Sequence, residues 1–158
     1  MLSLILIILN IIIFVSYNVC ILKRFGVPES LSITTYLTEK YYWIFPTICV
    51  LFTFTILPVW LNILPGVLDG LKFLACLGIL FVGATPFFQN VFDGKIHYTA
   101  AIISTAAFMI WMLCSGFHWW IAGGLVLFIL SLFIWGKKNV VYYGEVILWI
   151  MLLIVLMT

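Results

Sequence analysis

Charge is scarce in this chain. Seven Lys or Arg and five Asp or Glu make up 8% of its 158 residues, where a soluble domain carries about 25%. So few charges cannot cover a water-exposed surface, which excludes an ordinary soluble fold. The net charge of +2 and the lack of any run of like charges exclude nucleic acid as a partner. The four cysteines, Cys20, Cys49, Cys76 and Cys114, have no paired spacing. Neither a disulfide framework nor a zinc site is indicated, and they read as small apolar packing residues. His97 and His118 are the two histidines of the chain, too few for the usual His-rich metal site. A nucleophile elbow, a phosphate loop, a Ser-His-Asp pattern and H-E-x-x-H are all missing. No catalytic residue, metal or cofactor is expected.

Hydrocarbon is what the chain has in abundance, with 66% hydrophobic residues and a mean hydropathy of +1.34. The apolar residues fall into stretches of about twenty, the length that a hydrocarbon layer of about 30 Å demands of a helix. The expected fold is therefore all-α, a polytopic transmembrane bundle forming one domain over residues 1–158. Its six spans are expected at about 1–22, 41–64, 71–88, 97–115, 118–135 and 140–157. Uniform apolarity without period-two alternation argues against a barrel. The first span carries its charges, Lys23 and Arg24, after the apolar run, so it reads as a retained helix and not a cleaved signal. Pro46 and Pro58 should end, kink or shift the second span. Asp93-Gly94 signals a turn before the fourth. Gly116 is expected to separate spans four and five; without a turn there the two become one long helix and the count falls to five.

Basic residues near span ends set sidedness. Lys23, Arg24, Lys40, Lys95, Lys137 and Lys138 fall on one side of a six-span topology, and Lys72 alone falls on the other. Both termini are thus expected outside the cytoplasm, in a membrane of bacterial inner-membrane type. Trp43, Trp60, Trp111, Trp119, Trp120 and Trp135 lie near span ends and suit an interfacial belt.

Scattered polar residues are where function is sought in such a chain. Glu145, about a third of the way into the last span, could bind a cation, relay a proton or pair with Lys138; the bland alternative is a carboxylate snorkelling to the interface. Glu29, Ser30, Ser32 and Thr34 in the first loop share a side with Asp93, Lys95 and His97. A short helix is expected after Pro28, with Glu29 in its first turn. Glu145, His97, Asp93, Glu29 and Ser32 are the candidate ligand or ion residues. His97 and His118 open successive spans, so they lie on opposite sides and share no metal. A third feature is the face of span four carrying His97, Ala101 and Thr105 at four-residue spacing beside Ala100, Ser104 and Ala107, which reads first as close helix packing and second as the wall of a lipid or ligand cleft.

The first loop with Pro28-Glu29-Ser30-Leu31-Ser32, the third span ending Gly83-Ala84-Thr85-Pro86-Phe87-Phe88 and the fourth opening His97-Tyr98-Thr99-Ala100-Ala101 resemble an order of features in six-helix membrane families. They are the damage-regulated autophagy modulator/Sfk-like superfamily and related prokaryotic membrane proteins. The resemblance implies a six-helix bundle associated with membrane lipid, and no reaction. It also implies a first loop outside the cytoplasm, opposite to the charge bias.

Three functions compete. A non-enzymatic module that binds membrane lipids, or other membrane proteins including itself, leads. A small oligomeric transporter or channel using Glu145 is second, and a membrane-embedded lipid-modifying enzyme using Asp93, His97 and Glu29 is third.

Overall fold

A computed structural model describes residues 1–66, 68–84 and 93–158, and the side chains of residues 39, 93 and 94 lie outside that description. Among the described residues the chain is all-helical and has no strand. The elements in chain order are α1 (Leu2–Phe25), α2 (Thr34–Leu37), a 3-10 turn (Glu39–Tyr41), α3 (Ile44–Leu61), α4 (Asp69–Ala84), α5 (Asp93–Cys114), α6 (His118–Trp135) and α7 (Val140–Met157).

The distribution of side chains is that of a protein dissolved in lipid. Asn10, Asn18, Thr53, Lys72, Ser104 and Ser131 are buried, while Phe54, Ile102, Trp119, Leu125, Phe133 and Ile134 face outward. Polar groups turned inward and large apolar groups turned out have no favourable arrangement in water, but hydrocarbon reverses the preference. Among the described residues, five helices are long and apolar enough to cross a membrane: α1, α3, the 95–114 part of α5, α6 and α7. The protein is therefore a transmembrane helical bundle.

α4 has 16 residues, or about 24 Å of helix at 1.5 Å per residue, and is the sixth rod. It runs antiparallel between α3 and α5, because Lys72 at its start meets Ile63 and Trp111 while Gly78 meets Ala100 and Gly83 meets Cys49. A Cβ on Gly78 would lie 2.6 Å from the Ser104 Cβ and 2.8 Å from the Ala100 carbonyl oxygen, so glycine is what lets α4 and α5 touch. Ser104 Oγ then donates to the Ala75 carbonyl at 2.7 Å across the same contact. On the other side, α1 crosses α3 through Asn10, whose Nδ2 donates to Thr55 Oγ1 at 2.7 Å and to the Leu6 carbonyl at 2.8 Å. α7 lies against α1 and α3, with Trp149 stacked on Phe14 at 4.8 Å and against Phe52 at 3.9 Å between ring centroids. α6 packs on α7 at the edge of the bundle.

Some local expectations hold, the turn at Gly116 among them, and others are corrected. Spans four and five are separate helices, because Gly116 takes φ +82, a backbone state that suits glycine, and the chain reverses between Cys114 and His118. Pro46 lies in the first turn of α3, where no amide donor is needed, and α3 continues past Pro58 to Leu61. Asp93-Gly94 is the first turn of α5 and not a reverse turn. The short helix after Pro28 begins only at Thr34, so Glu29 is outside it. Trp60 and Trp111 are fully buried and meet edge-to-face at 5.1 Å; the outward-facing tryptophans include Trp43, Trp119, Trp120 and Trp135. The expected end of span three, Thr85 to Phe88, lies outside the described residues.

Candidate functional site

One end of the bundle is closed by the connection between α1 and α3, residues 26–43. Leu31 is the anchor. Its side chain is buried among Phe14, Tyr17, Ile21, Phe45, Ile48 and Tyr142. Residues 26–33 of this segment precede α2 and have no helix of their own, and some of their backbone groups bond to the bundle. The Leu31 amide donates to Glu145 Oε2 at 2.6 Å. The Glu29 carbonyl accepts from the Tyr142 amide at 3.1 Å, which occupies one of the four free N–H groups that open α7. The Thr34 hydroxyl donates to the Leu31 carbonyl, and Tyr17 Oη bonds to the same hydroxyl. Tyr142 Oη donates to Asn18 Oδ1 at 2.8 Å, and Asn18 returns its amide to the Phe14 carbonyl. The segment is thus a cap, tied to α1 and α7 by a buried polar network.

Beneath the cap, α3, α4, α5 and α7 line a partly open cavity of about 110 Å3. A water molecule needs only about 10–15 Å3 by the same measure, so the space is larger than a packing defect. Phe52, Phe108, Leu148, Trp149 and Leu152 form much of its wall, with Glu145 and Leu31 at the capped end. Ser104, Thr105 and the Trp60 indole add polar edges. The Trp60 indole N–H has no partner among the described residues. Glu145 uses one oxygen for Leu31, and its second has no protein partner among the described residues. A carboxylate that lines a largely apolar space can accept a hydroxyl or amide from a ligand, or pair with a cation.

The small-residue face of α5 divides between its two expected uses. Ala100 and Ser104 meet Gly78 of α4, whereas Ala101, Ser104 and Thr105 line the cavity.

The described candidate residues take different places in the fold. Glu145 lines the cavity, and the only ion pair among the described residues is Lys72 with Asp69, so Glu145 has no pair with Lys138. Ser32 is in the cap, with its hydroxyl 3.0 Å from that of Ser30. Glu29 is exposed, and it is its backbone carbonyl that meets α7. His97 stands in the second turn of α5 beside Tyr98, and it does not line the cavity. The side chain of Asp93 lies outside the described residues. No group of three or more His, Cys, Asp or Glu able to hold a metal occurs among the described residues.

Two polar anchors escape the sequence reading. Lys72 is fully buried; its ammonium donates to the Ile63 carbonyl at 2.6 Å, the Leu64 carbonyl at 3.2 Å and Asp69 Oδ1 at 2.8 Å, which uses all three of its donors. It also stands 5.7 Å from the centre of the Trp111 ring. That contact pins the α3–α4 turn at the far end of the bundle. Asn10 and Asn18 are the second anchor, and their spacing of eight within an apolar span is a signal that one face of α1 looks inward.

The chain shows no significant similarity to any protein-family model, curated protein or solved structure.

Proposed function

We propose that the protein is a non-enzymatic membrane module that takes the apolar chain of a lipid, or of a lipid-like molecule, into the cavity between α3, α4, α5 and α7. The observation that carries this reading is the largely apolar space with a single carboxylate, Glu145, at its capped end. Phenyl and indole walls favour a hydrocarbon chain, and the spare oxygen of Glu145 suits a hydroxyl or ammonium on its polar end. Among the described residues no acid–base pair stands at the cavity, which favours binding over chemistry.

The test is lipid retention. Protein purified in mild detergent should release a stoichiometric lipid on extraction, and Ala101→Phe, which fills the cavity from α5, should lose it while remaining folded. Equal lipid content in wild type and variant contradicts the reading.

A second reading, a small oligomeric transporter, is favoured by the same unpartnered oxygen of Glu145. Flux in proteoliposomes that is equal for wild type and Glu145→Gln removes it.

The capped face is proposed to be cytoplasmic in a bacterial inner membrane, with both termini on the other side. Six of the seven Lys and Arg belong to that face. Burial of Lys72 in its own turn supports the assignment further, since it leaves the opposite face without an exposed lysine or arginine.

A further inference from the structure

A second concavity, of about 860 Å3, lies on the outside of the bundle between the last turns of α1, the 3-10 turn and the start of α3. Its floor is aliphatic, formed by Ile13, Ile21, Ile44 and Ile48, and its mouth carries Arg24 and Lys40. Ile13 and Arg24 are eleven residues apart on one helix, about 16 Å along its axis, which is close to the depth of one bilayer leaflet's hydrocarbon. Neither cation is ion-paired with a described carboxylate. Both lie near an aromatic ring, Arg24 over Phe25 at 5.4 Å and Lys40 over Tyr41 at 6.0 Å from the ring centre. Such contacts hold cationic heads at the membrane–water boundary.

Charge and shape together select the occupant. A free anion would find the cations but leave the isoleucine floor uncovered. A further apolar helix would cover the floor but strip two cations of water without supplying counter-charge, which is strongly unfavourable. A molecule with a phosphate at the interface and a hydrocarbon chain below meets both halves.

The geometry points to a site for an anionic phospholipid, with its phosphate between Arg24 and Lys40 and one acyl chain along the isoleucine floor. Arg24 offers the planar fork that binds phosphate oxygens two at a time, and Lys40 adds a point charge. The site is separate from the interior cavity and stands whether or not that cavity binds a lipid.

The experiment is native mass spectrometry of the whole chain in mild detergent, titrated with phosphatidylglycerol or with phosphatidylcholine of the same acyl chains. Wild type is expected to prefer the anionic lipid by about tenfold, the order that two cationic side chains at a membrane surface supply. The double variant Arg24→Gln/Lys40→Gln is expected to bring the two lipids within about twofold, and exposed Lys40→Gln alone to fall between. Lys137→Gln/Lys138→Gln removes the same charge from the same face and is expected to keep the preference, as is cavity-filling Ala101→Phe. Glycerol phosphate in excess should not displace the lipid. Wild type without preference, equal loss in the Lys137/Lys138 variant, or displacement by glycerol phosphate overturns the proposal. If the double variant unfolds without lipid, Lys40→Gln decides the matter, and an unchanged preference there overturns it.

Discussion

Glu145 in α7 and Leu31 in the first connection meet at 2.6 Å, carboxylate oxygen to backbone amide, across 114 residues of sequence. This bond joins the cap to the wall of the cavity, so a residue that lines the cavity also holds the cap. Removing the acceptor orphans a part-buried amide. Glu145→Ala is expected to destabilise the protein by about 1–3 kcal/mol, and Glu145→Gln, whose side-chain carbonyl still accepts, by less. Thermal unfolding in detergent reads the difference. Limited proteolysis should cut within residues 26–43 faster in the alanine variant.

The contact between α4 and α5 depends on what Gly78 lacks. Gly78→Ala forces its methyl against Ser104 and the Ala100 carbonyl, and overpacking of this kind costs about 1–3 kcal/mol. At Gly123, in α6, an added methyl would meet nothing within 4 Å. Gly123→Ala is expected to be neutral or stabilising by up to about 1 kcal/mol, because alanine is the better helix former. Unfolding midpoints of the two single variants, measured side by side, test the packing.

At the far end, the Lys72 ammonium beside Asp69 holds that carboxyl below the usual carboxylate range, and the Gly66 amide adds to the effect. A depressed folded pKa places the resulting stability above the unfolded value of about 3.9, and it is lost as pH falls through the lower folded one. Lys72→Met should weaken this acid-side dependence and leave the smaller part due to the Gly66 amide. It should also cost about 1–3 kcal/mol by orphaning the Ile63 and Leu64 carbonyls. A pH series of unfolding midpoints for both proteins gives the two numbers.

The rods of this fold are legible because hydrocarbon demands long apolar runs, and the bounds of α6 and α7 can be read from Gly116, the 136–139 turn and the apolar stretches between. Boundaries set by one proline are less so. Pro58 removes a single helix bond, and the burial of Ile56, Val59 and Trp60 around it holds α3 intact. Trp60 and Trp111 depart from the interfacial belt for a related reason: position near a span end suggests an interface, but the two rings pair with each other inside the bundle and Trp111 also meets Lys72. Glu145 is visible as a costly carboxylate, while its partner is not, since a backbone amide in a distant loop has no side-chain signature. Lys72 is hidden in the same way, its acceptors being mostly carbonyls. The cavity follows from how four helices meet, which no stretch of sequence states by itself.

A hydrocarbon chain is proposed to occupy the space under the cap. A density map of the protein in a lipid nanodisc, sharp enough to separate side chains from ligands, tests this most directly. Continuous chain-like density between Phe52, Ala101 and Trp149, with its polar end at Glu145, is the expected result. An interior collapsed onto its own side chains, with Glu145 still bonded to Leu31 and no extra density, would contradict it.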